Sequence, residues 1–320
     1  AQLLNNRLGI DARVYTRTTD VMITTAPIDP STGYEFTFVN VGEVSNEGIE
    51  LALTGNPVNL SNGFRWDVTV NYFAYESTVE KLGAGVEEVA IAGFTNLGNF
   101  AIEGEPFNVM QGSVIARDDD GNALIDGDGY FLPAEEVEII GDPNPDFTSS
   151  LINTFSRKGL SLMVQIDYRK GGDLYSGSTR ALLARGITTD TDFDRTQSFV
   201  LDGVTADGQP NTTMITATNL YFDNYGFGPA ELNVYDGTLI RLREISLSYN
   251  IPKSLISGTF IQDATVTVSG SNLWYDAINL PDGMNVDPDL LGTGVGNGLG
   301  FEFLTGPSVR RFGGSVRLKF

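Results

Sequence analysis

Two stretches of this sequence hold side chains whose types and spacing could do chemistry. Asp118-Asp119-Asp120-Gly121-Asn122 and Asp126-Gly127-Asp128-Gly129 crowd oxygen ligands together. Hard cations such as Ca²⁺ collect about six to eight oxygens from turns of this kind, so Asp118, Asp120, Asn122, Asp126 and Asp128 are the expected ligands of a calcium site. The closing Glu and the flanking helices of an EF-hand are missing, and the favoured expectation for the same residues is an acidic solvated hairpin built on Asp-Gly turns. Further on, Tyr221, Phe222, Tyr225, Phe227 and Tyr235 surround Asp223 and Asn224. Aromatic faces beside an amide and a carboxylate suit stacking on a sugar or contact with a protein lid. The alternative is that they pack their own loop against its neighbours.

Covalent chemistry finds little support. The 320 residues contain neither His nor Cys, which removes the commonest general base, Ser-His-Asp chemistry, thiol nucleophiles and the usual zinc ligands. Carboxylates are plentiful, but nothing fixes a pair at the separation that glycoside cleavage requires, so no enzyme is expected. With 41 Asp and Glu against 20 Lys and Arg the formal charge is −21, the wrong sign for binding nucleic acid. No stretch approaches the roughly 18 consecutive apolar residues of a spanning helix. Ala1 to Arg7 carry neither the charged nor the apolar region of a signal peptide, whose removal by processing or truncation is the expectation.

What must position such side chains is a set of strands. Leu160, Leu162, Val164, Ile166 and Tyr168 fall on one face of a two-residue period, and Ser161, Gln165, Asp167 and Arg169 on the other. Trp66, Val68, Val70, Tyr72 and Ala74 repeat the pattern, as do Leu8, Ile10, Ala12 and Val14. Strands are predicted near 5–20, 44–56, 64–77, 146–156, 159–170, 236–250, 262–274 and 309–320. Their connections alternate between short (57–63, 157–158, 251–261) and long (21–43, 78–145, 171–235, 275–308). A soluble sandwich turns its apolar faces inward and a membrane barrel turns them to lipid. Long loops all on one side fit an all-β, antiparallel transmembrane outer-membrane β-barrel, with lipid outside and both chain ends on the periplasmic side.

Several finer expectations follow. Trp66, Tyr72, Tyr168, Tyr249, Trp274 and Tyr275 are placed to form interfacial girdles. Asp11, Arg13, Glu50, Asp67, Asp167, Arg169, Arg317 and Lys319 face the lumen. Residues 178–186 read as a short helix with a Ser or Thr cap and a terminal Gly. The strand at 236–250 breaks phase, because the face carrying Ile245, Leu247 and Tyr249 continues into Arg243 and Arg241. Either a bulge near Glu244 resets the register, or the arginines lie among lipid head groups; the second is the favoured expectation.

The chain closes on an amphipathic strand ending in Phe320, which resembles the terminal strand that the barrel-assembly machinery recognises in outer-membrane proteins. Gly141-Asp142-Pro143-Asn144-Pro145-Asp146-Phe147, Asp167 to Asp173 and Arg241 to Tyr249 resemble landmarks of the SusC/RagA-like TonB-dependent transporters. So do Asn40-Val41-Gly42, Asn46 to Leu51 and Ser269 to Leu273, in the same order along the chain. The resemblance implies a twenty-two-stranded barrel with a plug, a SusD-like lipoprotein lid, TonB coupling and uptake of oligosaccharide or peptide. Neither plug nor TonB box is read here, so the match is to the C-terminal third, with about eight strands. The rival within the membrane is a complete eight-stranded barrel with an adhesive or structural role; the rival outside it is a secreted, carbohydrate-binding sandwich.

Overall fold

Side chains that alternate every second residue over ten or more positions leave the backbone one economical arrangement, an extended strand with two unlike faces. The computed structural model describes all residues except 6, 22, 35, 41, 84–85, 95, 282 and 291–297. Eight long strands form where the alternation places them: β1 (Leu8–Thr19), β2 (Glu43–Asn59), β3 (Arg65–Lys81), β4 (Pro145–Arg157), β5 (Leu160–Gly171), β6 (Leu239–Asn250), β7 (Asp263–Ala277) and β8 (Arg311–Lys319). They pair antiparallel in sequence order, and the two-residue strand Gln2–Leu3 adds to the free side of β1 to make a nine-stranded sheet.

Residues in register across the sheet share a face. One row runs Asp11, Ala52, Asn71, Ser150, Asp167, Arg241; a neighbouring row on the other face runs Leu53, Val70, Leu151, Ile166, Leu242. The polar row faces a concavity of about 700 Å³. The apolar face is bare: Val14 is 80% exposed, Val268 55% and Phe312 79%. Among the described residues no second sheet covers it, which overturns the sandwich. An unbroken exposed apolar face needs lipid against it.

The eight-stranded closed barrel is also corrected. Among the described residues β8 pairs only with β7 and β1 only with β2 and Gln2–Leu3, so the wall curves without closing on itself.

Aromatics collect at two levels of the outer face. Trp66 stacks on Phe155 with ring centroids 5.9 Å apart, and Tyr72 and Tyr168 flank Phe147 at 5.1 and 5.8 Å. Six residues separate Trp66 from Tyr72, a rise of about 20 Å along the strand, close to the height of an apolar lipid band. Tyr275 departs from the girdle expectation. It pairs with Arg241 across β6 and β7 and therefore looks into the concavity.

Leu151 sits midway between the two levels, flanked by Val70 and Ile166. A Leu151→Arg variant should lose about 2–4 kcal/mol of stability in bilayers, the cost of a guanidinium near the midplane. Ser150→Arg, one residue away and facing the polar side, should lose little. Urea unfolding in lipid vesicles reads the difference; equal losses would mean that the apolar face does not meet lipid.

The tight turns cluster at one end. Lys158 and Gly159 take φ of 48° and 87° in a two-residue hairpin, a left-handed pair suited to the strand twist. At the other end the long connections fold into a canopy. Glu88–Phe94, Leu97–Ile102, Val109–Ile115 and Pro133–Gly141 form a four-stranded antiparallel sheet. A short helix α1 (Gly177–Ala184) starts where Ser176 Oγ accepts the Thr179 N–H, and Gly186 follows with φ +63°, as the 178–186 reading expects apart from its first residues. The buried apolar clusters lie in or against this canopy: Val79 with Leu82 and Ala101, Met110 with Tyr175 and Phe301, and Leu239 with Leu280 and Met284. The sheet is thus apolar outside, and conventional hydrophobic cores serve the loops.

Candidate functional site

The chemistry-bearing groups gather on the concave face of β4 to β7, and a bulge puts them there. In β6, Glu244 pairs with Gln165 and Leu242 with Ile166, leaving Arg243 as an extra residue; the pairing with β7 shifts at the same place. The extra residue restores phase, so Leu242 and Ile245 both face outward while Arg241 and Glu244 face the concavity. This corrects the head-group placement. Arg241, only 4% exposed, makes an ion pair with Asp287 and another with Asp289 at 2.9 Å. Arg243 Nε donates to Asp167, and Arg243 Nη2 lies 3.9 Å from Asp289. Arg169 Nη1 reaches Asp289 at 3.5 Å.

The acids that meet these arginines come from the fourth long connection, which doubles back as a strap. Tyr275 Oη donates to the Asn285 carbonyl at 2.6 Å, and Asn285 Nδ2 returns a bond to the Tyr275 carbonyl at 3.0 Å. Leu280 and Met284 pack on Leu239 and Ala277, holding the strap over the loop end of the wall. Toward the turn end the wall carries Arg13, 3.4 Å from Asp11 and 3.7 Å from Glu50, and the pair Arg65 and Asp67 at 2.6 Å. Asp11, Arg13, Glu50, Asp167 and Arg169 therefore line the concavity as expected. Exposed pairs of this kind add little stability but define a wet, charged surface.

The segments that resemble family landmarks converge at the rim. Arg169 donates to the carbonyls of Gly171 (3.3 Å) and Pro143 (3.0 Å), and Gly237 N–H to that of Gly172. Gly171 and Gly172 take φ of 68° and 78°, and a Cβ on Gly172 would meet Arg169 Nη2 at 2.3 Å and the Pro143 carbonyl at 2.7 Å. Only glycine turns the chain there so closely under a guanidinium. Asp173 accepts the Asp142 N–H at 2.8 Å. Burial, with Asp142, Asp236 and Asp146 close by, holds its carboxyl above the usual range.

The aromatic cluster divides. Asn219–Gly226 coils as a π-helix. Asn224, buried, accepts the Phe131 N–H and donates to the Asn219 carbonyl, both at 3.0 Å. Tyr221 stacks between Phe193 and Tyr225 at 6.0 and 5.8 Å. Asp223 accepts from Asn219 at 2.8 Å. Tyr235 is held among these groups with its hydroxyl unbonded, and burial pushes its ionisation well up. Phe222 and Phe227 pack on each other at 5.0 Å and are exposed, at 41% and 71%. Of the seven residues these two offer the widest face for contact.

Asp118 and Asp126 build turns. Asp118 Oδ1 accepts the N–H groups of Asp120 and Asn122, and Asp126 Oδ1 those of Asp128 and Tyr130, at 2.8 to 3.0 Å. The side chain and N–H of Asn122 hold the Asp118 carboxyl below the usual range. Among the described residues no three acidic side chains converge as a metal site would need. At the far end Phe320 stacks on Phe260 at 5.4 Å and stays 65% exposed.

The site also contains groups that local reading misses. Glu302 is fully buried and receives Ser178 N–H (2.8 Å), Ser178 Oγ (2.7 Å), Thr305 N–H (2.6 Å) and Thr305 Oγ1 (2.8 Å). Asn99, likewise buried, exchanges two 3.0 Å bonds with the Leu299 backbone. These clasps tie the fourth connection to the second and third.

A membrane-facing antiparallel wall with a charged concave face, tight turns at one end and folded loops at the other is the wall of an outer-membrane β-barrel. Residues 1–111 match the family model of the TonB dependent receptor-like beta-barrel. TonB-dependent receptor P3 of Formosa agariphila is 25% identical over 349 residues, which take in 99% of this chain and 33% of the relative. TonB-dependent receptor P26 of the same organism is also 25% identical, over 93% of this chain and 31% of its own length. The solved RagAB peptide transporter superposes with a TM-score of 0.64 at 21% identity, over 99% of this chain and 34% of that one. RagAB in its open-open state gives 0.62, also at 21% identity, over 100% and 33%. The chain spans about a third of the length of the relatives it matches. Its first 111 residues match that β-barrel, and over nearly its whole length the chain is similar to TonB-dependent receptors, outer-membrane proteins of Gram-negative bacteria.

Proposed function

We propose that this wall is part of an importer that draws energy through TonB and carries an oligosaccharide or peptide across the outer membrane with a SusD-like lipoprotein as lid. The observation that carries the reading is the concave face: about 700 Å³ of space lined by charged residues of both signs with Asn71, Gln165 and Ser150 among them, a canopy above and lipid-facing residues behind. Such a surface suits weak polar contacts with a passing hydrophilic cargo. The RagAB neighbour, described as a peptide transporter, supports peptide as one cargo class. Phe222 and Phe227 offer an apolar contact for lid or cargo. The residues here bind and position; no bond is made or broken and no cofactor is called on.

The test is uptake by cells that produce the full-length protein. Radiolabelled oligopeptide and oligosaccharide mixtures should accumulate only when both the intact gene and a functional TonB are present. Accumulation that persists after TonB is deleted would overturn the importer reading.

A further inference from the structure

The arginine cluster of the wall has more donors than its partners use. Arg169, Arg241 and Arg243 all point at one carboxylate, Asp289, at 3.5, 2.9 and 3.9 Å. Asp287 also pairs with Arg241, and Asp167 with Arg243. Arg169 has no carboxylate partner other than Asp289 among the described residues. Arg241 Nε is buried and has no hydrogen-bond partner at all. Three acids, Asp167, Asp287 and Asp289, face the three arginines, so charge alone is balanced and what stands out is the convergence on one of them. Here three guanidiniums share one strap residue that is 40% exposed on the side of the concavity.

We propose that Arg169, Arg241 and Arg243 form a binding site for a carboxylate of the cargo, and that Asp289 is the internal anion which occupies it until the cargo arrives. The inference rests on the importer reading and adds to it a cargo class, ligands bearing carboxylates. Guanidinium forks match carboxylates in geometry as well as charge. The strap carboxylate is tethered and competes at high effective concentration, so the ligand meets a site whose competent state is a minor fraction. That fraction lowers apparent affinity and lets Asp289 sense the cargo. When the carboxylate of the cargo replaces Asp289, the strap loses its contact with Arg169 and Arg243, and of its links to the three arginines the Asp287 pin on Arg241 remains. Occupancy of the wall is thereby coupled to the hold on the strap.

The experiment is calorimetric titration of the full-length, detergent-purified protein with triglutamate, with trigalacturonate and with C-terminally amidated triglutamine, which carries no carboxylate. Asp289→Asn should bind one or both acidic probes about tenfold more tightly than wild type, with triglutamine unchanged. Which probe responds tells a peptide carboxylate from a uronate. Arg243→Gln, at the more exposed end of the cluster, should weaken the same acidic probe by about threefold or more. Heat-modifiable gel mobility shows that each variant is folded. If Asp289→Asn changes neither acidic probe, or tightens triglutamine equally, the inference is wrong. Such a failure beside intact TonB-dependent uptake sinks this inference alone, whereas TonB-independent uptake sinks the importer reading and leaves the carboxylate site standing.

Discussion

Replacing Glu302 by Ala is expected to lower the local opening free energy of the canopy by about 3 kcal/mol or more, the scale of a buried charged group that loses its hydrogen bonds. Glu302 sits in a two-residue strand, Phe301–Glu302, laid parallel to Asp173–Ser176. Its carboxylate accepts from Ser178 and Thr305, with Ser176 Oγ 3.0 Å away, and meets the amino end of α1, where a negative charge is favoured. Alanine strands the Ser178 and Thr305 amides inside the protein and leaves a void beside Phe301. Glutamine keeps the shape but turns a donor toward donors, so Glu302→Gln should lose a smaller part, about 1–2 kcal/mol. Hydrogen exchange of the Ser178 and Thr305 amides measures the loss directly. Unchanged protection in Glu302→Ala would show that the clasp contributes nothing.

The same group sets a pH dependence. Burial raises the pKa of Glu302, but the hydrogen bonds from Ser178 and Thr305 outweigh it and hold the value below the ordinary 4.5. A carboxylate with a depressed folded pKa stabilises fully above its unfolded value, and that contribution is lost as pH falls through the folded one. Protection of Ser178 and Thr305 should therefore be flat from neutral pH down to about 5, then decline below about 4.5. In Glu302→Gln the decline should be absent.

The strands were readable because lipid on one side and water on the other impose a two-residue period that needs no long-range knowledge. The phase break at Arg241 and Arg243 was readable too, but its resolution was not. Choosing between a bulge and a head-group position depends on where the counter-charges lie, and those come from Asp287 and Asp289, 46 and 48 residues from Arg241. The same limit hides Glu302, which meets Ser178 across 124 residues, and Asn99, which meets Leu299 across 200. Canopy contacts arise when separate loops fold against one another, and no local pattern marks them. Gly171 and Gly172 lie between: the sequence singles them out, but the reason, the Asp146 carboxylate against the first and a guanidinium and a carbonyl against the second, needs three dimensions. The aromatic cluster divided for a similar reason, since only packing tells Tyr221 and Tyr225 from Phe222 and Phe227.

The Arg241–Asp287 pair decides how firmly the strap is held, and its variants should separate attraction from burial. Both residues are 4% exposed, so removing either leaves the other charged group desolvated. Arg241→Met or Asp287→Leu alone should destabilise by about 3–5 kcal/mol, as expected for one half of a buried ion pair. The double variant puts two apolar side chains beside Leu239, Leu280 and Met284, which already pack there. It should therefore recover most of the loss, giving a coupling energy of about 2 kcal/mol or more in a double-mutant cycle. Urea unfolding of the detergent-solubilised full-length protein supplies the four stabilities. Additive losses would mean that the two side chains act independently and that Leu280 and Met284, not the ion pair, fix the strap. If coupling is found, the apolar double variant also keeps the strap seated without the Asp287 charge, while Asp289 still faces Arg169 and Arg243. A strap seated by packing alone would then respond to a carboxylate through Asp289 only, which separates the hold on the loop from the sensing of charge.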